Sequence, residues 1–259
     1  MQKVFIGYDP RQPVSYNVLQ HSIVIRTEYP VSITPLVLET LPITRKGLTP
    51  FTWSRFLVPF LCHFDGLAIF MDADMLVQAD IKELFDVVTS LHDETGQIPA
   101  VSVAKNKARF EWASVMVFNC AHPDNRILTP DFIQNTDKRL HGIAWTNSIG
   151  GLPDDWNHLV GYDELRQIRV SSSVIVDGET VQSTELAAGK SHAKLIHFTQ
   201  GVPAWPITAD SEYAEQWDLD KQFMNSAQDW EKLMGASVHS AKLPDGKVVP
   251  KYKLNAIQP

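Results

Sequence analysis

The sequence predicts an α/β sheet that carries its ligands at the carboxyl ends of its strands, and three observations support this. Through the first half of the chain, apolar runs of strand length alternate with stretches of helical period. Hydrophobic residues make up 44% and charged residues 20% of the 259 positions, the balance of a folded globular protein rather than a disordered one. One apolar run, Leu67-Ala68-Ile69-Phe70-Met71, ends in Asp72-Ala73-Asp74, two carboxylates at the place where such a sheet binds ligands.

Taken in order, Val4 to Tyr8 reads as a buried strand. Pro13 then opens a helical period through Val14, Val18, Leu19, Ser22 and Ile25. Val31 to Leu38 is rich in β-branched residues and gives a second strand. After the turn residues Pro42, Gly47 and Pro50, a helix is expected over Thr52 to Leu61, kinked at Pro59 unless that proline falls in a first turn. Leu67 to Met71 is the third strand, and Asp80 is placed to cap a helix running through Phe85. Pro99 to Val103 and Ser114 to Phe118 supply two more strands.

The second half is looser, with Gly142, Gly150, Gly151, Pro153 and Gly161 marking loops. Ile168 to Val176 returns to strand, and Asp177-Gly178 is a hairpin-type turn into Thr180-Val181. Lys194 to Phe198 is a short apolar run containing His197. From Trp217 onward one or two amphipathic helices are expected, through Trp230 and Leu233, followed by a polar tail.

Composition excludes several classes. No apolar run approaches the roughly 20 residues that span a bilayer. A strand beginning almost at Met1 leaves no room for a secretory leader, so a cytoplasmic protein is expected. The net charge of −7 opposes general nucleic-acid binding, although an anionic sugar nucleotide can bind where a metal or local Arg/Lys neutralises it. The two cysteines, Cys62 and Cys120, are expected as reduced core thiols. Lys242, Lys247, Lys251 and Lys253 fit a solvated tail, and any membrane contact is confined to them.

Two unpaired carboxylates at the mouth of a buried strand are costly unless something cationic compensates them. Hard oxygen donors in that position suit Mg²⁺ or Mn²⁺ bound against phosphate oxygens. Strand-Asp-x-Asp serves two chemistries of this kind. One is the metal site of nucleotide-sugar transferases, and the other is the aspartyl-phosphate nucleophile of dehalogenase-type phosphatases. The phosphatase pattern wants Thr or Val two residues beyond the second Asp and a place near the N-terminus. Here Leu76 stands there, and the motif begins at residue 72.

The stretch from Ser54-Arg55 through Ile69-Phe70-Met71-Asp72-Ala73-Asp74-Met75-Leu76-Val77 to Asp80-Ile81-Lys82-Glu83-Leu84-Phe85 resembles the retaining glycosyltransferases of the glycogenin and bacterial galactosyltransferase type. Their pattern runs from an S-x-x-R-like helix through a "YLDADxLV" strand to "DIxELF". A later segment, His197-Phe198-Thr199-Gln200-Gly201-Val202-Pro203-Ala204-Trp205, is similar to the family's strand-end His, glycine loop and Lys-Pro-Trp signature, with Pro203 where the lysine would stand. Leu152-Pro153-Asp154-Asp155-Trp156-Asn157 resembles its "LPxxWN". The family's Asn-Ser-Gly turn survives only as Phe118-Asn119-Cys120 or Trp112-Ala113-Ser114, and its Asp-Gln-Asp motif is not recognisable.

The resemblance implies a GT-A, Rossmann-like fold over residues 1–206: a mixed central sheet flanked by helices, with 207–259 a C-terminal helical extension packed on the same domain. It implies transfer of a sugar from a nucleoside diphosphate, UDP being the expected one, to an acceptor hydroxyl with retention. Asp72, Asp74 and His197 would hold Mn²⁺ or Mg²⁺, and this mixed oxygen and imidazole set suits Mn²⁺ better. Gly7, Tyr8 and Asp9 would meet the nucleotide base, with Arg55, Gly201 and Trp205 around the donor. Arg55 would equally suit an ion pair with Asp72. Asp72, Asp74, Asp154 and Asp155 are the candidates for catalysis, the last two through sugar hydroxyls. Trp112, Trp145, Trp156 and Trp205 offer faces on which sugar rings could stack. In place of the missing lysine, Lys190, Lys194 or Arg55 could meet the diphosphate. A catalytically silent sugar-nucleotide-binding protein and a dehalogenase-type phosphatase are the alternatives.

Overall fold

The structure, a computed structural model, describes residues 1–163, 168–176, 179–187, 193–224, 240–242, 246 and 248–250, the four strands after residue 163 other than 195–197 by backbone alone. The chain divides into two compact units, Met1–Trp217 and Asp218–Pro259.

In the first unit β1 (Gln2–Gly7) leads through α1 (Pro13–Val24) to β2 (Val31–Leu36). Pro13 opens α1 at its first turn, where a missing N–H costs nothing, and Val18, Leu19 and Ile23 form its buried face. The helix expected over 52–61 arrives in three pieces: α2 (Phe51–Ser54), a 3-10 turn (Arg55–Leu57) and α3 (Val58–Leu61). Pro59 lies in the first turn of α3, so the break falls ahead of the proline. Then come β3 (Leu67–Met71), β4 (Met75–Val77) and α4 (Lys82–Ser90). Asp80 stands one residue before the position expected of a cap and acts as a turn, its Oδ1 accepting from the Lys82 N–H at 2.9 Å. β5 (Val101–Val103), a 3-10 turn (Arg109–Ala113), β6 (Val115–Asn119), α5 (Pro130–Asn135), β7 (Ile149–Gly151) and β8 (His158–Leu159) follow. β9 (Ile168–Val176) and β10 (Glu179–Ala187) pair antiparallel, while the expected Asp177-Gly178 turn lies outside the described residues. β11 (Leu195–His197) and α6 (Ala214–Met224), in which the unit boundary falls, complete the run.

Six strands form one mixed sheet in the order β2-β1-β3-β6-β5-β7. β1 lies parallel to both β2 and β3, and β6 runs antiparallel between β3 and β5. Both faces are covered. Val4, Ile6, Ile69, Met71, Val115 and Val117 pack with Leu19 and Ile23 of α1 and with Trp156. The alternate residues Phe5, Ala68, Phe70, Met116 and Phe118 pack with Phe51, Phe56 and Trp145. Burial on both sides explains why these strands read as unbroken apolar runs rather than alternating ones. Cys62 and Cys120 are buried free thiols in the second of these clusters.

A second sheet orders its three strands β4-β11-β8; β11 falls in the apolar run read at 194–198, whereas β4 and β8, three and two residues long, escaped the sequence pattern. It is tied to α1 by the Ser22 hydroxyl, which accepts from the Val77 N–H at 3.1 Å.

In the second unit, β12 (Ser240–Lys242) and β13 (Val248–Pro250) pair antiparallel where a polar tail was expected. Trp230 and Leu233, expected on a helix, lie outside the described residues. Among the described residues no helix is long and apolar enough to cross a membrane.

Candidate metal centre

The sheet order locates the site. From β1 the chain goes first to β2 on one side and later to β3 on the other, the arrangement that in such sheets assigns the ligand crevice to the carboxyl ends of β1 and β3. Ile6 is paired with Met71, which puts Gly7-Tyr8-Asp9 and Asp72-Ala73-Asp74 side by side at that end.

Asp72 continues the ladder for one residue, its N–H donating to the Ser114 carbonyl at 2.9 Å. Its carboxylate faces Arg55, with Nη2 3.0 Å from Oδ1 and Nη1 3.4 Å from Oδ2. Oδ1 is nonetheless buried without an aligned hydrogen-bond donor, so it has a nearby charge but no directed partner. Burial pushes the carboxyl up to about 6, with Arg55 opposing that rise. The arginine is itself buried, donating to the Ala113 carbonyl at 2.7 Å and the Phe51 carbonyl at 3.3 Å and lying 4.9 Å from the Phe70 ring.

Asp74 starts the second sheet, and its carbonyl accepts the Phe198 N–H at 2.9 Å. β11 runs antiparallel to β4 with His197 opposite Met75, which delivers the imidazole to the acid pair. His197 Nε2 lies 3.4 Å from Asp74 Oδ1, and Nδ1 lies 3.2 Å from Asn157 Oδ1. Asn157 Nδ2 donates to the Ser114 hydroxyl at 3.0 Å, leaving Oδ1 to accept. Nδ1 therefore carries a proton and Nε2 faces the carboxylates, as a metal-ligating histidine requires. Burial alone lowers the pKa of His197, but Asp74, Asp72 and Glu111 outweigh it and the net shift is upward.

One ligand atom from each of Asp72, Asp74 and His197 lies within 4.8 Å of the others. Bonds of roughly 2.0–2.6 Å to a divalent ion place its ligands up to about 4–5 Å apart, so the group fits without rebuilding the backbone. Glu111, on the Arg109–Ala113 turn, brings a third carboxylate, with Oε2 3.8 Å from His197 Nδ1 and its pKa raised by burial. Three carboxyls therefore face one arginine and one histidine, and the imbalance favours a cation. Nothing in the sequence pointed to Glu111. Asn157 was visible only as the end of the Leu-Pro-x-x-Trp-Asn stretch.

Other expected residues have partners of their own. Asp9 is buried and both its oxygens bond the Arg11 side chain, at 2.9 Å and 2.6 Å. That hydrogen bond lowers its pKa against the effect of burial. Tyr8 packs edge-on against Tyr16. Gly7 has no room for a side chain, because a Cβ would stand 2.4 Å from the Phe51 ring. Arg55 makes the ion pair with Asp72 that the sequence also offered and donates to two carbonyls. Asp155 and Glu83 both hold Lys194, at 3.3 Å and 2.9 Å, and Lys190 lies outside the described residues. Asp154 is exposed, and neither it nor Asp155 belongs to the three-ligand group. Gly201 takes φ +113°, open to glycine, with the Trp205 ring 3.5 Å from where a Cβ would be. Trp205 is half exposed, whereas Trp145 and Trp156 are core and Trp112 is partly buried. Pro203, in the place of the family's lysine, is buried.

Solved structures carry the same fold. The bifunctional glycosyltransferase WbbM superposes with a TM-score of 0.58 at 15% identity, covering 85% of this chain and 49% of that one. The galactosyltransferase LgtC, in complex with donor and acceptor sugar analogues, gives 0.54 at 9% identity over 90% of this chain and 99% of that one. GlyE of Streptococcus pneumoniae TIGR4 gives 0.53 at 14% identity over 85% of this chain and 60% of that one. The fold is that of the GT-A nucleotide-sugar glycosyltransferases, with an Asp-Asp-His group at the crevice. No protein-family model matches the chain. It is 33% identical over 243 residues to Protein CDI of Arabidopsis thaliana, covering 83% of this chain and 84% of that protein, and it belongs to that protein's family.

Proposed function

We propose that this chain is a metal-dependent glycosyltransferase that moves a sugar from a nucleoside diphosphate, UDP in the first instance, to an acceptor hydroxyl with retention. The observation that carries the proposal is the grouping of Asp72, Asp74 and His197 within 4.8 Å at the β1/β3 crevice of a GT-A sheet. These three residues hold a divalent ion, Mn²⁺ before Mg²⁺ because one donor is an imidazole. When bound, the ion supplies charge stabilisation to the diphosphate as the glycosidic bond breaks.

The chain's own residues prepare the site. Arg55 keeps the Asp72 carboxylate aimed, and Asn157 holds His197 in the tautomer that leaves Nε2 free. Gly7 to Asp9 border the crevice where the nucleotide would lie, and Trp205 beside Gly201 offers an exposed ring to the sugar. A cytoplasmic location is the expectation from the sequence.

One observation favours a second reading, a sugar-nucleotide-binding protein without turnover. The lysine of the family signature is replaced by a buried proline, and Lys194 and Arg55, which could take its place, are held by carboxylates.

Titration with UDP at several Mn²⁺ concentrations, followed by hydrolysis of a UDP-sugar panel, separates the two readings. Asp74→Ala should abolish manganese-dependent UDP binding while the circular dichroism spectrum stays unchanged. Manganese-dependent UDP binding that survives in this variant would overturn the assignment of Asp74 as a metal ligand, and binding by the parent without hydrolysis would favour the second reading.

A further inference from the structure

The 3-10 turn that bears Glu111 also lines a cavity of about 610 Å³ with Arg109 and Phe110, and this cavity contains none of Asp72, Asp74 or His197. Arg45, Lys138 and Arg139 line it too, which gathers four of the chain's 23 Lys and Arg residues in one place although the net charge is −7. Asp137 is the one carboxylate among its described lining residues. None of the four cations forms an ion pair among the described residues. Arg45 donates to the Ile133 and Thr136 carbonyls at 2.8 and 2.9 Å, and Arg109 donates to the Gly142 carbonyl at 3.1 Å. Those neutral acceptors orient the guanidinium groups without cancelling their charge.

Aromatic faces fix the same groups. The Arg45 guanidinium sits 3.5 Å from the Trp53 ring centre and that of Arg109 lies 5.2 Å from Trp112, so part of the ordering cost is met before any ligand arrives. Phe110 is 73% exposed, an apolar ring presented at a charged wall. His141 adds a neutral ring, since burial, with help from Arg55 and Arg45, lowers its pKa to about 4. Like charges crowded at a concave surface repel one another and focus a positive field into it, an arrangement that an anion relieves. The volume falls in the range of small-molecule sites, roughly 300–1,000 Å³.

We propose that this cavity binds a small molecule carrying an anionic group, a carboxylate, sulfate or phosphate, on an aromatic or other apolar body. The anion meets Arg109, Lys138 and Arg139, while Phe110 and Trp53 cover the apolar part. The site is distinct from the metal centre and does not rest on the transferase reading.

The test uses two fluorescent dyes of similar size, anionic 8-anilinonaphthalene-1-sulfonate and neutral N-phenyl-1-naphthylamine, titrated into the full-length chain in about 0.15 M salt, where the Debye length is about 8 Å. Saturable binding of the anionic dye at one site is expected, weakened about tenfold or more in the Lys138→Ala/Arg139→Ala double variant. Both side chains are exposed, so the variant should fold. Phe110→Ser should weaken binding as well. Asp74→Ala should bind the dye as the parent does, so that failure of the metal reading leaves this site standing. Equal binding of the two dyes, undiminished binding in the double variant, or loss of dye binding in Asp74→Ala would overturn the proposal. So would co-sedimentation with phosphatidylglycerol vesicles that the double variant abolishes, because the cations would then serve a membrane surface.

Discussion

Asn157 shows how much one side chain outside the ligand set decides. Its Oδ1 accepts the hydrogen bond from His197 Nδ1–H, and without it the imidazole could turn or adopt the other tautomer. Replacing it with Ala should weaken Mn²⁺ binding by about 10- to 100-fold, read by isothermal calorimetry, and should also cost about 1–3 kcal/mol in urea denaturation, because Asn157 is fully buried and its loss leaves Ser114 and His197 without this partner. His141 carries a different kind of information. Its ring stands edge-on to Trp53 and Phe56, and burial lowers its pKa to about 4 against an ordinary 6.5. Between those two pH values the unfolded chain holds a proton that the folded chain lacks, so this contribution to stability is complete above about 6.5 and is lost as the pH falls toward 4. Relative to His141→Gln, the parent should lose roughly 3 kcal/mol of unfolding free energy between pH 7.5 and 4, at about 1.4 kcal/mol for each tenfold difference in proton affinity between the two states. A parallel pH profile in the two proteins would refute this.

At the scale of elements, the close approach of α2 to β1 shapes the crevice. Gly7 ends β1 against the Phe51 ring, which opens the helical segment bearing Arg55. Gly7→Ala should therefore cost about 1–3 kcal/mol in urea unfolding by forcing Phe51 aside, and Phe51→Leu should recover part of that loss. If the double variant is no more stable than Gly7→Ala alone, the contact is not the cause. The division of 51–61 into α2, a 3-10 turn and α3 has a related consequence. The 3-10 turn lets Arg55 donate to the carbonyls of both Phe51 and Ala113 while it faces Asp72.

For the whole molecule, the group of Asp72, Asp74 and His197 joins two sheets. Asp72 follows β3 of the six-stranded sheet, whereas Asp74 immediately precedes β4 and His197 ends β11 of the smaller one. An ion bound there ties the two together, and because it binds the folded state alone its affinity appears as stability. At 100 times its dissociation constant, Mn²⁺ should add about 2.7 kcal/mol, seen as a rise in the thermal midpoint. The rise should disappear in Asp74→Ala and in His197→Ala. A midpoint that ignores Mn²⁺ in the parent protein would contradict the binding of an ion between the sheets.

The strand runs and the acid pair were legible because their signals are local: a strand buried on both faces is apolar throughout, and carboxylates at its end interrupt that pattern. His197 became legible as a partner only through its resemblance to a known segment, since nothing in the long stretch between Asp74 and His197 says that the strand at Leu195 will lie against Met75. Short strands such as Met75–Val77 and His158–Leu159 carry too few residues to show a period. What the tertiary structure decided was which charge answers which. Arg55 went to Asp72, Arg11 to Asp9 and Lys194 to Glu83 and Asp155, while Arg45, Arg109, Lys138 and Arg139 were left around one cavity. Composition counts charges, but pairing depends on distances of a few ångströms that exist only once the sheets have closed.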